Sequence, residues 1–143
     1  MKKKKVVDAR FAKKRDGYHS IIKTIEKEGK CPFCPDNFKY HKHPVLKKQG
    51  NWFITKISWP YKNSGFHFIV ISKKHKEKIS ELSSGDIKDI LSLAQWVAKK
   101  NKIKGGAIAM RFGETDYTGA TVCHLHAHLI VPQKRKTVNF PIG

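Results

Sequence analysis

The segment "VCHLHAHLIVP" (122–132) constrains the fold most strongly, because it alternates histidine with apolar residues. On a β-strand, successive side chains point to opposite faces, so His124, His126 and His128 would share one face. The apolar residues between them would form the opposite face. A solvated strand face normally mixes Lys, Thr, Glu and Ser. The segment therefore predicts a strand with one face in the core and three imidazoles on the other, available to a single small ligand.

The remaining pattern predicts an α+β fold with an antiparallel sheet of about five strands and a long helix on one face. The other strands are predicted within 43–60 (two, joined at Gln49-Gly50-Asn51), 66–75 and 106–113. The long helix is predicted over 84–100, after a Ser83/Ser84 cap, with its apolar positions at helical spacing: Ile87, Ile90, Leu91, Ala94, Val97 and Ala98. A shorter helix in "YHSIIKTIEKEGK" ends at Gly29.

Length and composition predict one domain over residues 1–143, with no repeat, linker or internal domain boundary. Residues 1–16 are dominated by Lys and Arg, and we expect this basic segment to be partly disordered. No apolar run is long enough for a membrane span, and the N-terminus lacks the apolar region of a signal peptide. These features predict a cytoplasmic protein without a membrane partner. The apolar "VNFPIG" at positions 138–143 is expected to pack against the body.

The net charge of +19 predicts a positive field that attracts nucleotides, phosphates or nucleic acid. Only four of the 30 basic residues are arginine, although bidentate recognition of phosphates and base edges favours arginine. The lysine excess is equally compatible with a solvated surface, so nucleic acid stays a possible partner that the composition alone does not establish.

The "CPFC" motif places Cys31 and Cys34 at the spacing of half a zinc site. A redox pair is the rival interpretation, but it needs a helix that begins at the cysteines to lower a thiol pKa. Here a Lys/Glu-rich helix is predicted to end just before them, which favours zinc. His41 and His43 are the nearest further ligands along the chain. Cys123 alternates onto the core face of its strand and is expected to be buried.

Three segments together resemble the histidine-triad (HIT) family of nucleotide hydrolases and transferases. They are "HLHAHLIVP" (124–132), "HFIVISKKH" (67–75) and "TGATV" (118–122), and "CPFC" is similar to the zinc knuckle of the zinc-bearing branches. The sequence departs from the family pattern at Arg111, Ala120 and Phe66. The resemblance implies a HIT-like fold and hydrolysis at the α-phosphate of a nucleotide, through a covalent nucleotidyl-histidine. It also implies a homodimer.

The resemblance also assigns roles to residues of this chain. The nucleophile would be His126, with His128 at the phosphate oxygens and Thr121 at the leaving group. Structural zinc would be held by Cys31, Cys34, His75 and His124. Residues assigned to substrate binding are His67, Gly119, Ala120, Arg111 and Asn63.

The substrates implied are dinucleoside polyphosphates or nucleotide phosphoramidates. Uridylyltransferase-type relatives carry Gln at the third triad position, so His128 favours hydrolysis over nucleotidyl transfer or phosphorolysis. An aprataxin-like protein that binds nucleic acid or removes adenylate from its ends is the alternative that the charge supports. The sequence shows no second Cys/His finger after the triad for such a role.

Overall fold

The computed structural model describes residues 6–12 and 17–143, and it contains one five-stranded sheet with helices on both faces. All neighbouring strands are antiparallel, in the order β1-β2-β3-β5-β4. The strands are β1 (Val45–Gln49), β2 (Trp52–Lys56), β3 (Ser64–Ser72), β4 (Ala107–Arg111) and β5 (His126–Pro132). The helices are α1 (Tyr18–Glu28), α2 (Ser84–Lys100) and the short α3 (Thr115–Thr118), with 3-10 turns at Ala9–Phe11, Pro35–Tyr40 and Ile79–Glu81. The predicted fold class is confirmed.

The long helix α2 packs on one face of the sheet, as the sequence predicts. Ser83 begins it with a capping box, in which the Ser83 hydroxyl accepts from the Asp86 N–H and the Asp86 carboxylate accepts from the Ser83 N–H. Its buried residues join the alternate side chains of β2, β3 and β5 in one core: Trp52, Ile54, Phe68, Val70, Ile90, Leu93, Ala94, Val97, Leu125, Ala127 and Leu129. The predicted apolar positions did not include Leu93, which is buried. They did include Ile87 and Leu91, which are exposed.

Helix α1 and the segment before it form a second apolar cluster, which borders a pocket on the opposite face of the sheet. Ile22 and Ile25 of α1 are buried there, and Gly29 ends the helix in the left-handed conformation at φ 73°. Residues 6–12 pack against the loop before β5, where the Asp8 N–H donates to the Thr121 carbonyl at 2.8 Å. The expected disorder of 1–16 falls partly on residues 1–5 and 13–16, which lie outside the described residues.

Two segments that connect the predicted elements form short helical turns. The chain after "CPFC" forms the 3-10 turn Pro35–Tyr40, which Asn37 interrupts with non-helical backbone angles. The polar "ETDYT" segment forms α3, which ends at Gly119. Within the described ranges, no helix combines the length and apolar character needed to cross a membrane.

Candidate active site and metal centre

The three histidines of the triad lie on the face of the sheet that α2 leaves open. The regular strand β5 begins at His126, so His124 lies just before it rather than within it. Phe33 of the "CPFC" loop nevertheless contacts both rings, with centroids 5.9 Å from His124 and 4.9 Å from His126. The rings of His126 and His128 are 5.0 Å apart. The predicted shared face is therefore present in the structure.

Strand pairing brings two further polar residues to this face. Arg111 of β4 is directly opposite His126, and opposite residues of an antiparallel pair project to the same side. His67 of β3 is paired with Ile130, which places it diagonally across from His128. The open face thus combines four imidazoles and one guanidinium, although the residues come from three strands.

A chain of hydrogen bonds fixes the tautomer of His128. The Tyr61 N–H donates to His67 Nδ1 at 3.2 Å, so the proton of neutral His67 is on Nε2. This Nε2–H donates to His128 Nδ1 at 2.8 Å. In neutral His128 the remaining proton must then be on Nε2, which is buried and has no hydrogen-bond partner within the described ranges. An unpaired donor in this position is suited to a phosphate oxygen.

His126 has the opposite arrangement. Its Nδ1–H donates to the His124 carbonyl at 2.6 Å, which leaves the Nε2 lone pair unprotonated. Burial lowers the pKa of His126 to about 4, only partly opposed by its bond to the His124 carbonyl. Burial likewise holds the pKa of His128 well below the ordinary histidine value, and the neighbouring His126 adds to this effect. Both imidazoles are therefore neutral at physiological pH.

A large pocket opens over His126 and His128. Aromatic and apolar side chains dominate its lining, with contributions from α1, the "CPFC" loop, the β2–β3 connection and the loop before β5: Tyr18, Ile22, Ile25, Pro32, Phe33, Tyr40, His41, Ile57, Ser58, Trp59, Tyr61, Ile69, Arg111, Ala120, Thr121, Val122, His126 and His128. We call this space the catalytic pocket. Its apolar walls suit a planar base, and its polar residues include His126, His128 and Arg111.

Arg111 is held between an aromatic hydroxyl and an aromatic ring at the edge of the catalytic pocket. One of its terminal nitrogens donates to the Tyr61 hydroxyl at 2.7 Å, and its guanidinium carbon is 4.3 Å from the centroid of Phe140. Phe140 also contacts the ring of His128, with centroids 5.1 Å apart. The C-terminal "VNFPIG" segment thus packs beside the site, as its apolar composition predicts.

The loop between α3 and β5 supplies the other predicted polar contacts. Thr121 lines the catalytic pocket, and its hydroxyl is 2.6 Å from that of Tyr18. Gly119 has φ 68°, and a Cβ there would lie 2.5 Å from the Gly143 carbonyl oxygen, so a side chain is excluded by both conformation and space. Ala120 is buried and lines the same pocket.

His67, Gly119 and Asn63 were also predicted to bind substrate, but they do not line the catalytic pocket. Of these three, Asn63 is tied to the C-terminal segment. It adopts φ 70° before β3, and its side-chain amide donates to the Thr137 carbonyl at 3.0 Å. The structure therefore places it where it holds the C-terminal segment. Its assignment to substrate binding stays a prediction.

The four predicted metal ligands converge beside the triad. The Sγ atoms of Cys31 and Cys34 and the Nδ1 atoms of His75 and His124 all lie within 4.8 Å of one another. The two nitrogens are 3.1 Å apart, and three sulfur–nitrogen distances are 3.3, 3.4 and 3.7 Å. Tetrahedral zinc requires N···N separations of about 3.3 Å and S···N separations of about 3.5 Å. The cluster fits zinc without rearrangement.

Both histidine ligands are oriented by a hydrogen bond on the far side of the ring. His124 Nε2–H donates to the Ser72 carbonyl at 2.7 Å, and His75 Nε2 is 3.0 Å from a Glu77 carboxylate oxygen. Each Nδ1 lone pair therefore points into the cluster, as is usual for metal-bound histidine. Two facing lone pairs 3.1 Å apart repel each other unless a cation lies between them.

The thiols do not have the properties of a redox pair. Burial raises the pKa of Cys31 to about 12 and also raises that of Cys34, whereas reactive cysteines have lowered pKa values. No helix begins at Cys31, because α1 ends at Glu28. His41, the nearer alternative ligand, is hydrogen-bonded to Thr55 at 2.7 Å instead of facing the cysteines. Cys123 is buried, as predicted.

Comparison with known proteins decides the family. The model of the HIT domain matches residues 62–135, which is just over half of the chain. The chain belongs to the HIT family. A search of the curated proteins finds no significant match.

Solved HIT structures share the fold at low sequence identity. A HIT family hydrolase from Clostridium thermocellum is 21% identical with a TM-score of 0.56, over 75% of this chain and 94% of that chain. A zinc-bound histidine triad family protein from Mycobacterium smegmatis is 19% identical with a TM-score of 0.59, over 79% of this chain and 82% of that chain. The diadenosine triphosphate hydrolase of Plasmodium falciparum is 22% identical with a TM-score of 0.53, over 67% of this chain and 65% of that chain.

Sequence reasoning missed several residues that build the site of this HIT protein. Tyr61 contacts Arg111, His67 and His128, and Tyr18 contacts Thr121. Both are tyrosines among polar residues of the sequence, a pattern that can indicate a binding site but does not identify one. Glu77 could have been found, since an acidic residue two positions after a metal-binding histidine is well placed to orient it.

Proposed function

We propose that this HIT protein hydrolyses nucleotides at the α-phosphate through a covalent intermediate on His126, with dinucleoside polyphosphates or nucleotide phosphoramidates as substrates. The observation that carries the proposal is the contrast between two adjacent imidazoles. His126 offers an Nε2 lone pair beside the catalytic pocket, while His128 offers an unpaired Nε2–H donor. A nucleophile next to a donor is the arrangement that phosphoryl transfer requires.

The reaction proceeds in two displacements. In the first, the His126 Nε2 lone pair attacks the α-phosphorus, and the bond from phosphorus to the leaving oxygen or nitrogen breaks with its electron pair. A leaving nitrogen takes up one proton from solvent and departs as the neutral amine. In the second, water attacks the same phosphorus, the P–N bond breaks, and neutral His126 is restored after the loss of one proton to solvent. His128 Nε2–H and the Arg111 guanidinium would stabilise the charge on the phosphate oxygens in both steps.

Zinc would be held by the four-residue cluster and would have a structural role. With two thiolates and two imidazoles it would be four-coordinate, which leaves no position for a water molecule. The chemistry that it supplies is positional, since His124 accepts the His126 Nδ1–H through its carbonyl group. A metal bound at the His124 ring therefore helps to orient the nucleophile.

The Thr121 hydroxyl is proposed to contact the leaving group, because it lies in the loop that borders the pocket and is hydrogen-bonded to Tyr18.

A cytoplasmic location and a homodimer remain expectations from sequence and family. Exposed Ile108 on the edge strand β4 is compatible with a dimer interface. The alternative role at nucleic-acid ends is supported by the net charge of +19; steep salt dependence of nucleic-acid binding would favour it.

The decisive experiment is mass spectrometry of the intact protein after brief exposure to diadenosine triphosphate and to adenosine 5′-phosphoramidate. We expect a single nucleotidyl adduct, mapped by peptide analysis to His126 and absent from His126→Ala. The exposed His43 provides the matched control, and His43→Ala should retain adduct and turnover. Turnover by His126→Ala at the parent rate, or an adduct on another residue, would contradict the mechanism.

A further inference from the structure

A second, smaller pocket lies next to the catalytic pocket and is built by the two ends of the described chain. Its walls are the rings of Phe11, Tyr18 and Tyr61 together with Pro141. Phe11 belongs to the N-terminal 3-10 turn, whereas Pro141 belongs to the C-terminal segment that also carries Phe140. We call this space the second pocket. Aromatic rings form part of its walls, while Arg111, Gly119 and Thr121 complete the lining and make it more polar than apolar.

The two pockets meet at the residues that would hold the phosphate. Tyr18, Tyr61, Arg111 and Thr121 line both of them, whereas His126 and His128 line the catalytic pocket alone and Phe11 and Pro141 line the second pocket alone. The Arg111 Nε atom is buried and has no hydrogen-bond partner within the part of the chain that the structure describes. A group that extends from the catalytic pocket into the second pocket would pass this guanidinium, which favours a chain of phosphates.

The geometry of displacement at phosphorus indicates which group of the substrate the second pocket could bind. The attacking and leaving atoms lie roughly in line, so the leaving group departs on the side away from His126. A third, smaller pocket also touches Arg111, but it includes the Glu77 carboxylate and excludes Thr121. A carboxylate repels an anionic leaving group, so this third pocket is a poor alternative.

We propose that the second pocket binds the leaving group and that its walls select one with a planar aromatic ring. This inference rests on the proposed hydrolase function and decides between its two substrate classes. A second nucleoside can stack between such rings, whereas ammonia or an alkyl amine leaves them unfilled. The wall residues Phe11, Tyr18, Tyr61 and Pro141 all lie outside the segment 62–135 that the family model matches.

The test compares two substrates that transfer the same adenylyl group. Diadenosine triphosphate loses a nucleotide, and adenosine 5′-phosphoramidate loses only ammonia. We expect Phe11→Ala to lower the ratio of kcat/KM for the triphosphate to that for the phosphoramidate about tenfold, which is the usual effect of losing one base–aromatic stack. Phe11→Tyr should restore the ratio. Tyr117, 79% exposed and outside the second pocket, provides the control Tyr117→Ala.

A binding measurement separates this proposal from the hydrolase mechanism. In a His126→Ala background, calorimetry compares diadenosine triphosphate, which spans both pockets, with AMP, which fills only the catalytic pocket. Phe11→Ala should lower the ratio of the two affinities about tenfold. An unchanged ratio in both assays, or an equal loss for both ligands, would overturn the second pocket as a leaving-group site. A missing His126 adduct alongside a changed affinity ratio would instead overturn the covalent mechanism.

Discussion

Substitution of Cys31 by serine tests the metal centre most directly. Cys31 is buried, and its Sγ atom is 3.4 Å from His124 Nδ1. Serine keeps the size of the side chain but removes the thiolate, and zinc binds an uncharged hydroxyl poorly. We expect the zinc content to fall from about one ion per chain to less than a tenth of that value after dialysis.

The loss of stability follows from the same geometry. Because Cys31, Cys34, His75 and His124 come together only in the folded chain, zinc binds the native state and not the unfolded state. At a free zinc concentration about 1,000 times the dissociation constant, this linkage contributes about 4 kcal/mol. For a chain of 143 residues, that corresponds to a decrease of about 8–16 °C in Tm. The raised pKa values of both thiols also mean that zinc binding releases about two protons at neutral pH.

Elemental analysis and thermal melts with and without a chelator measure these effects. Cys123→Ala is the matched control, since Cys123 is a buried cysteine outside the cluster and its thiol contacts the Gly113 carbonyl. It should keep one zinc per chain and its sensitivity to chelator. If Cys31→Ser kept a full zinc ion, the cluster would not be the metal site, and His41 with His43 would become the next ligands to test.

Three further predictions concern positioning and stability. His67→Ala removes the donor to His128 Nδ1 and should lower kcat at least tenfold with little change in KM, measured by steady-state kinetics. Asp86→Ala leaves the buried Trp52 Nε1–H without its acceptor at 2.9 Å and removes the carboxylate half of the α2 capping box, so urea unfolding should show a loss of about 2–3 kcal/mol. Burial lowers the pKa of His41 to about 4, so the unfolded state binds more protons between pH 6.5 and 4. The free energy of unfolding should therefore decrease as the pH is lowered through that window, by about 1–2 kcal/mol after allowance for partial exposure. His41→Gln should reduce this decrease, measured by urea unfolding at pH 7.5 and 4.5.

The elements that could be predicted from the sequence are those whose residue pattern lies within one continuous segment. The alternation around His126 and the spacing along α2 each reflect a single periodic element, so fold class, strands and long helix could be inferred. The convergence of the four cysteine and histidine side chains was also predictable, because the family resemblance supplied the pairing of "CPFC" with His75 and His124. The exposure of Ile87 and Leu91 was not predictable, since several rotations of an apolar helix satisfy the same spacing, and packing against the sheet decides among them.

Contacts between distant segments were beyond sequence reasoning. The second pocket brings Phe11 and Pro141 together across 130 positions of the chain, and neither segment has a periodic pattern. Nothing in the lysine-rich composition of residues 1–16 indicates that Asp8 is fully buried or that it binds Arg10 at 2.6 Å. Such contacts depend on where the sheet places the loop of Thr121, which only the complete fold determines.

The separate roles of the three triad histidines originate in the groups that surround them rather than in their spacing. Each ring has one nitrogen engaged by a different partner: the Ser72 carbonyl for His124, the His124 carbonyl for His126, and the His67 Nε2–H for His128. A carbonyl partner fixes the proton on the nitrogen that faces it, whereas a donor partner forces the proton to the opposite nitrogen. His124 and His126 therefore present lone pairs, and His128 presents a proton. The same residue type at alternate positions thus presents two lone pairs and one hydrogen-bond donor, as the proposed metal ligand, nucleophile and phosphate contact require, because β3 supplies one carbonyl group and one imidazole to β5 and its approach.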